Sequence, residues 1–181
     1  MAILDKTVKV PKALHELHGV EASAFDLLIT YSTVLLVTAL VLIEAGSYQL
    51  TATRFILLGA LTMDLAGGVV SNFTKATNDY YSASPSKRYV FILLHVIQPC
   101  LLWWVFPNEG VVIAAVAIYT IAAMTLINLV RTHEKQRVLA AFLLVGGLSM
   151  LFLLPGRSPM LTLLLALFEV KLILAFPVRW K

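Results

Sequence analysis

Asp64, His95, Gln98 and Glu169 are ionisable or amide side chains set inside long apolar runs. An ionisable group at membrane depth costs roughly 3 kcal/mol to insert, so each needs a partner or a wet cavity and marks a candidate functional site. Asp64 follows Arg54 by ten residues, which is about 15 Å along a helix and close to the middle of a ~30 Å hydrocarbon core. Ala60, Asp64, Gly68 and Asn72 recur at i+4, with Gly67 and Ser71 beside them, so they share one small, polar face. Small residues let a neighbouring helix approach closely. The face suits either a helix-to-helix tie or a working carboxylate.

His95, Gln98 and Pro99 fall within one turn. Pro99 has no N–H to give the carbonyl of His95, so a kink and a freed carbonyl are expected beside an imidazole and an amide. Glu169 and Lys171 are two apart and point to different faces. Lys171 is expected to snorkel toward the cytoplasmic end, leaving Glu169 to another partner, with His95 one candidate. Asn128 is expected as a surface or interhelix amide. His15 and His18 stand at i, i+3 without a third ligand nearby, so a solvated pair is expected rather than a metal site.

The candidate ligand-binding or proton-linked set is therefore Asp64, Asn72, His95, Gln98 and Glu169. These residues suit three kinds of protein. One is a transporter or ligand-binding membrane component, in which a midplane carboxylate and a kinked helix bind a small molecule or a proton. Another is a membrane-embedded enzyme acting on a lipid or prenyl substrate, with Asp64 or Glu169 and His95 as acid and base. The third is a structural or accessory protein whose polar residues only specify packing. Several chemistries are excluded by type. There is no G-x-S-x-G elbow, no cluster of paired aspartates to hold Mg²⁺ against a diphosphate, and no His-rich metal set. The residues assign no catalytic role, no metal and no cofactor.

The elements that must position these groups are apolar helices. The 181 residues are 60% hydrophobic and 13% charged, with mean hydropathy +0.88, against about half apolar and a quarter charged in soluble domains. Spans are expected at 27–43, 55–71, 89–106, 111–130, 138–154 and 160–176, each near the length that crosses a bilayer. The fold class is all-α, a six-helix transmembrane bundle. Residues 1–24 form an amphipathic segment in which Pro11 opens and Gly19 closes a short interfacial helix. Residues 25–181 form the membrane domain. The stretch 72–88 reads as a loop with a Ser-Pro-Ser turn. No cleavable signal peptide is expected, because Lys6, Lys9 and Lys12 are mixed with Asp5, Glu16 and Glu21.

Basic residues alternate from loop to loop. Lys75, Lys87 and Arg88 follow span two, and Arg131, Lys135 and Arg137 follow span four, whereas the loops between have one or none. The positive-inside rule then puts both termini in the cytoplasm. The formal charge of +4 reads as orientation rather than nucleic-acid binding. The expected partners are the lipid bilayer, a small-molecule or lipid ligand, and a second copy or a partner membrane subunit. The expected location is the cell membrane, as a multi-pass protein. Cys100 is the one cysteine, so no intrachain disulfide forms.

Overall fold

The computed structural model describes residues 6–155 and 157–180; Asp5, used in the sequence reading, lies outside them. The architecture is all-α apart from one small hairpin. Strand β1 (Thr7–Lys9) pairs antiparallel with β2 (Glu21–Ser23), Val8 opposite Ala22. Between them lie a 3₁₀ turn (Lys12–Leu14) and a single helical turn, α1 (His15–His18). Then come α2 (Ala24–Ala45), α3 (Ala52–Phe73), α4 (Lys75–Ser82), α5 (Pro85–Leu94), α6 (Ile97–Val105), α7 (Gly110–Leu129), α8 (Gln136–Leu153) and α9 (Pro159–Glu169). A π-helical stretch, Val170–Ala175, continues α9.

Among the described residues, five helical segments are long and apolar enough to cross a membrane: Ala24–Ala45, Ala52–Phe73, Pro85–Val105, Pro107–Leu129 and Gln136–Leu153. They contain the first five expected spans almost entirely. The sixth is divided between α9 and the π stretch, so it does not form one long regular helix. Local sequence explains the boundaries. Ser23, Thr51 and Ser158 each accept a hydrogen bond from the backbone N–H three residues on, capping α2, α3 and α9. Pro85 and Pro159 occupy first helical turns, where the missing N–H costs nothing. The break between α5 and α6 falls at His95–Val96, one turn before Pro99, as the missing donor requires.

Helix α3 is the centre of the bundle. It packs on α2, α6, α9 and the π stretch, and Leu58, Leu65 and Ala66 are wholly enclosed. The second expected span thus adjoins both the third and the sixth. Helix α2 lies at the perimeter, with Leu35 and Ile43 about three-quarters exposed.

Two expectations are corrected. The stretch 72–88 is not a loop. Thr74 caps α4 by accepting from Thr77 N, and Lys75 pairs with Asp79 one turn on at 2.5 Å. The short helix expected between Pro11 and Gly19 forms as the two turns Lys12–Leu14 and His15–His18. The hairpin folds these turns back as a cap on the bundle. Gly19 takes φ +73°, and a Cβ there would meet Ala76 O at 2.5 Å, so glycine serves both the turn and the docking. Thr77 donates to Leu17 O at 2.9 Å from the α4 side.

The histidine pair is not freely solvated either, with His15 half-buried and His18 buried. His15 bonds Val10 O at 2.9 Å, and His18 is 3% exposed with its ring nitrogen 3.0 Å from the Tyr31 hydroxyl. Burial holds the His18 pKa below its ordinary 6.5. An undocked cap therefore takes up a proton below about pH 6.5 that the docked cap resists, so docking is full above that pH and weakens as pH falls. Hydrogen exchange at residues 15–23 should speed up on acidification from about pH 7.5 to about pH 5.5 beyond the intrinsic change. A His18→Leu variant should lose that dependence.

Candidate functional site

One carboxylate oxygen of Asp64 collects donors from two other elements. Lys171 Nζ, on the π stretch, lies 2.8 Å from Asp64 Oδ2 and 3.3 Å from the Asp64 carbonyl. Gln98 Nε2, on α6, donates to the same Oδ2. The Lys171 side chain is 2% exposed and that of Asp64 46%, so the ammonium is enclosed while the carboxylate faces open space. That space is a cavity of about 450 Å³. Asp64, Gly68, Ser71 and Asn72 form its α3 wall, His95 and Phe91 its α5 wall, and Leu14 and Leu17 of the N-terminal cap its cover.

Lys171 reaches Asp64 because α3 has glycine one turn further on. A Cβ on Gly68 would overlap Lys171 Cε and lie 2.8 Å from Nζ. The neighbouring Gly67 faces the other way, where a Cβ would sit 2.8 Å from Val34 Cγ2 of α2. The glycine pair thus seats two different neighbours. Gly68→Ala should displace the ammonium and cost about 1–3 kcal/mol, measured as thermal unfolding in detergent. The loss should shrink in a Lys171→Ala background, where nothing is left to displace.

The charges around the cavity balance. Asp64 and Glu16 supply two carboxylates, Lys171 and Lys87 two ammonium groups. Lys87 also stands 3.6 Å above the Tyr80 ring. The lining is otherwise largely apolar, with Phe91 stacked on His95 at 3.8 Å between centroids and on Phe176 at 3.6 Å. Tyr81, on the same wall, packs edge-on against Phe91; burial raises the Tyr81 pKa well above its ordinary 10.0, so its hydroxyl keeps its proton across the physiological range.

Of the expected residues, Asp64, Asn72 and His95 line the cavity, and Gln98 acts on Asp64 from behind the lining. Glu169 is elsewhere. It is fully enclosed, neither carboxyl oxygen has a hydrogen-bond partner, and a Cβ on Gly147 of α8 would collide with it. His95 is not its partner: Nδ1 of that ring bonds Phe91 O at 2.7 Å. The opposite-faces argument for Glu169 and Lys171 holds, since one addresses α8 and the other α3. Snorkelling of Lys171 is overturned, because Gly68 opens room for the side chain beside an opposite charge.

Asn128 is an interhelix amide, 2% exposed, accepting from Arg88 Nε at 2.7 Å. Arg88 is not a loop charge. It is 1% exposed on α5, and its guanidinium also donates to the carbonyls of Phe176 at 3.4 Å and Pro177 at 2.8 Å. Among the described residues no group of three metal-ligating side chains comes together.

Comparisons with protein-family models, with curated proteins and with solved structures give no match, so function has to be read from this geometry.

Proposed function

We propose that this chain is a multi-pass membrane protein that binds, and as a transporter carries, a small net-neutral molecule in the cavity at Asp64. The observation behind it is a carboxylate at mid-helix, steadied on one oxygen by Lys171 and Gln98 and half open to a 450 Å³ cavity. A lining with two charges of each sign favours a neutral or zwitterionic ligand over a strongly charged one. The apolar walls and stacked rings suit a partly apolar body. We further propose six crossings. The seventeen residues of α9 and the π stretch supply the sixth, about the shortest length that spans. With the buried Arg88 set aside, Lys75 and Lys87 still make the connection after α3 basic, and the alternation then gives cytoplasmic termini and a cavity that opens, beneath the N-terminal cap, toward the cytoplasm of a cell membrane.

The packing reading has one observation in its favour: Lys171 and Gln98 both close on Asp64, as they would in a pure interhelix tie. The enzyme reading lacks a matching one, since the His95 ring bonds a backbone carbonyl rather than a carboxylate. Native mass spectrometry of protein purified in mild detergent separates these readings. A stoichiometric small molecule, lost when Asp64→Asn is combined with Lys171→Met, is the expected result. Bulk lipid alone, identical in wild type and variant, would replace ligand binding by the packing role.

A further inference from the structure

The Asp64 cavity has two unlike walls. The α3 wall is polar from Asp64 to Asn72, eight residues apart and so about 12 Å along the helix. Lys171 and Gln98 both close on Oδ2 of Asp64, and among the described residues no hydrogen bond goes to Oδ1. Asn72 is 4% exposed and lines the cavity, yet its side-chain amide has no hydrogen-bond partner among the described residues. An enclosed amide without a partner is costly, and a polar group bound beside it removes that cost. At the cap end Glu16 and Lys87 add one charge of each sign, which suits a polar head without net charge.

The α5 wall is apolar and reaches the outside of the bundle. Val90 and Leu94 line the cavity, yet they are 53% and 49% exposed. Helix α3 packs on α2 and α6, and α5 packs on α4, α6 and α7, so the cavity occupies the gap between α3 and α5. Gly67 seats α2 on another side of α3, away from that gap. Both bordering helices belong to segments of spanning length and apolarity. In a bilayer, a gap between two such helices with half-exposed valine and leucine at its edge opens onto acyl chains. A ligand that came only from water would have no use for that edge.

We infer, on the ligand-binding reading above, that the ligand is a membrane amphiphile that enters sideways from the bilayer. Its net-neutral polar head meets Asp64 Oδ1 and the Asn72 amide, and its apolar tail leaves past Val90 and Leu94 among the acyl chains. The 450 Å³ of the cavity then house the head, and the N-terminal cap stays docked during entry.

The test uses the full chain in mild detergent, exchanged with dioleoyl phosphatidylethanolamine and followed by native mass spectrometry. Wild type should retain this lipid. Asp64→Asn combined with Lys171→Met, which removes the polar anchor, should lower retention by roughly tenfold or more. Leu94→Trp, which fills the side opening from the apolar wall, should lower it by a similar factor of roughly ten. Glycerophosphoethanolamine, the same head without acyl chains, should displace the lipid only at roughly hundredfold excess or more. No retention by wild type overturns the inference, and so does retention that both variants leave unchanged, which is bulk lipid. A Leu94→Trp protein that binds like wild type, or displacement by an equimolar amount of the head alone, overturns sideways entry of an amphiphile while leaving a ligand at Asp64. Whether a water-soluble molecule is lost with Asp64 is visible separately in the same spectra. Should Leu94→Trp not fold, Val90→Trp, one turn away on the same edge, carries the same outcomes.

Discussion

Asp64→Asn should be among the most destabilising single substitutions in the helical bundle, although it leaves the side chain's heavy-atom count unchanged. It leaves the Lys171 ammonium 2% exposed, with a neutral amide and a backbone carbonyl for company. Removing one partner of an enclosed ion pair costs about 3–5 kcal/mol, because the other charge stays behind. The half-open carboxylate sees cavity water, so the lower end, about 3 kcal/mol, applies here. That corresponds to roughly 10 °C in Tm for a chain of this size. Adding Lys171→Met should return most of the stability, because well-packed apolar replacements of buried pairs are close to neutral. It should not return the ligand. Thermal unfolding of the three variants checks the first statement, and ligand retention checks the second. An Asp64→Asn protein as stable as wild type would contradict the ion pair.

Arg88→Ala should release the C-terminal end of the bundle. The guanidinium satisfies Asn128 Oδ1 and the carbonyls of Phe176 and Pro177 while lying 4.8 Å from the Phe176 ring. Truncation strands two acceptors, Asn128 Oδ1 and Phe176 O, in a place closed to water, and leaves Pro177 O to Gln136. With hydrogen bonds to a charged donor worth roughly 1.5–3 kcal/mol each, a loss of about 3 kcal/mol or more is expected. Asn78 and Gln136 still hold Val178 O and Pro177 O, so the effect is local before it is global. Hydrogen exchange should rise first across 170–180. Arg88→Lys should recover little, because a single ammonium head cannot span the Nε and Nη2 positions that the fork fills.

The apolar helices and the Asp64 face were legible because they depend on run length and on a 3.6-residue period, both local properties. The kink beside His95 was legible for a similar reason: the missing proline donor fixes its place. Lys171 and Arg88 were not. Each was assigned by its distance from a span end, and each is held by something on another helix. For Lys171 there was a usable signal, an opposite charge on another span with a glycine one turn away. For Arg88 the acceptors are backbone carbonyls, which no sequence displays. The cap over the cavity was half legible: Pro11 and Gly19 mark its turns, but the pairing of Val8 with Ala22 is a non-local event.

The π stretch has a further consequence, best put in terms of chain length. A turn closed from Phe176 N to Lys171 O holds one residue more than an α-helical turn. Everything beyond it is advanced by one position, about 100° of rotation, relative to an uninterrupted helix. The carbonyls of Phe176 and Pro177 meet Arg88 and Gln136 only in that shifted frame. This segment is therefore tuned by residue count as well as residue type. Shortening 170–175 by one apolar residue would leave its hydropathy almost unchanged, yet it would turn the tail away from every donor that now holds it.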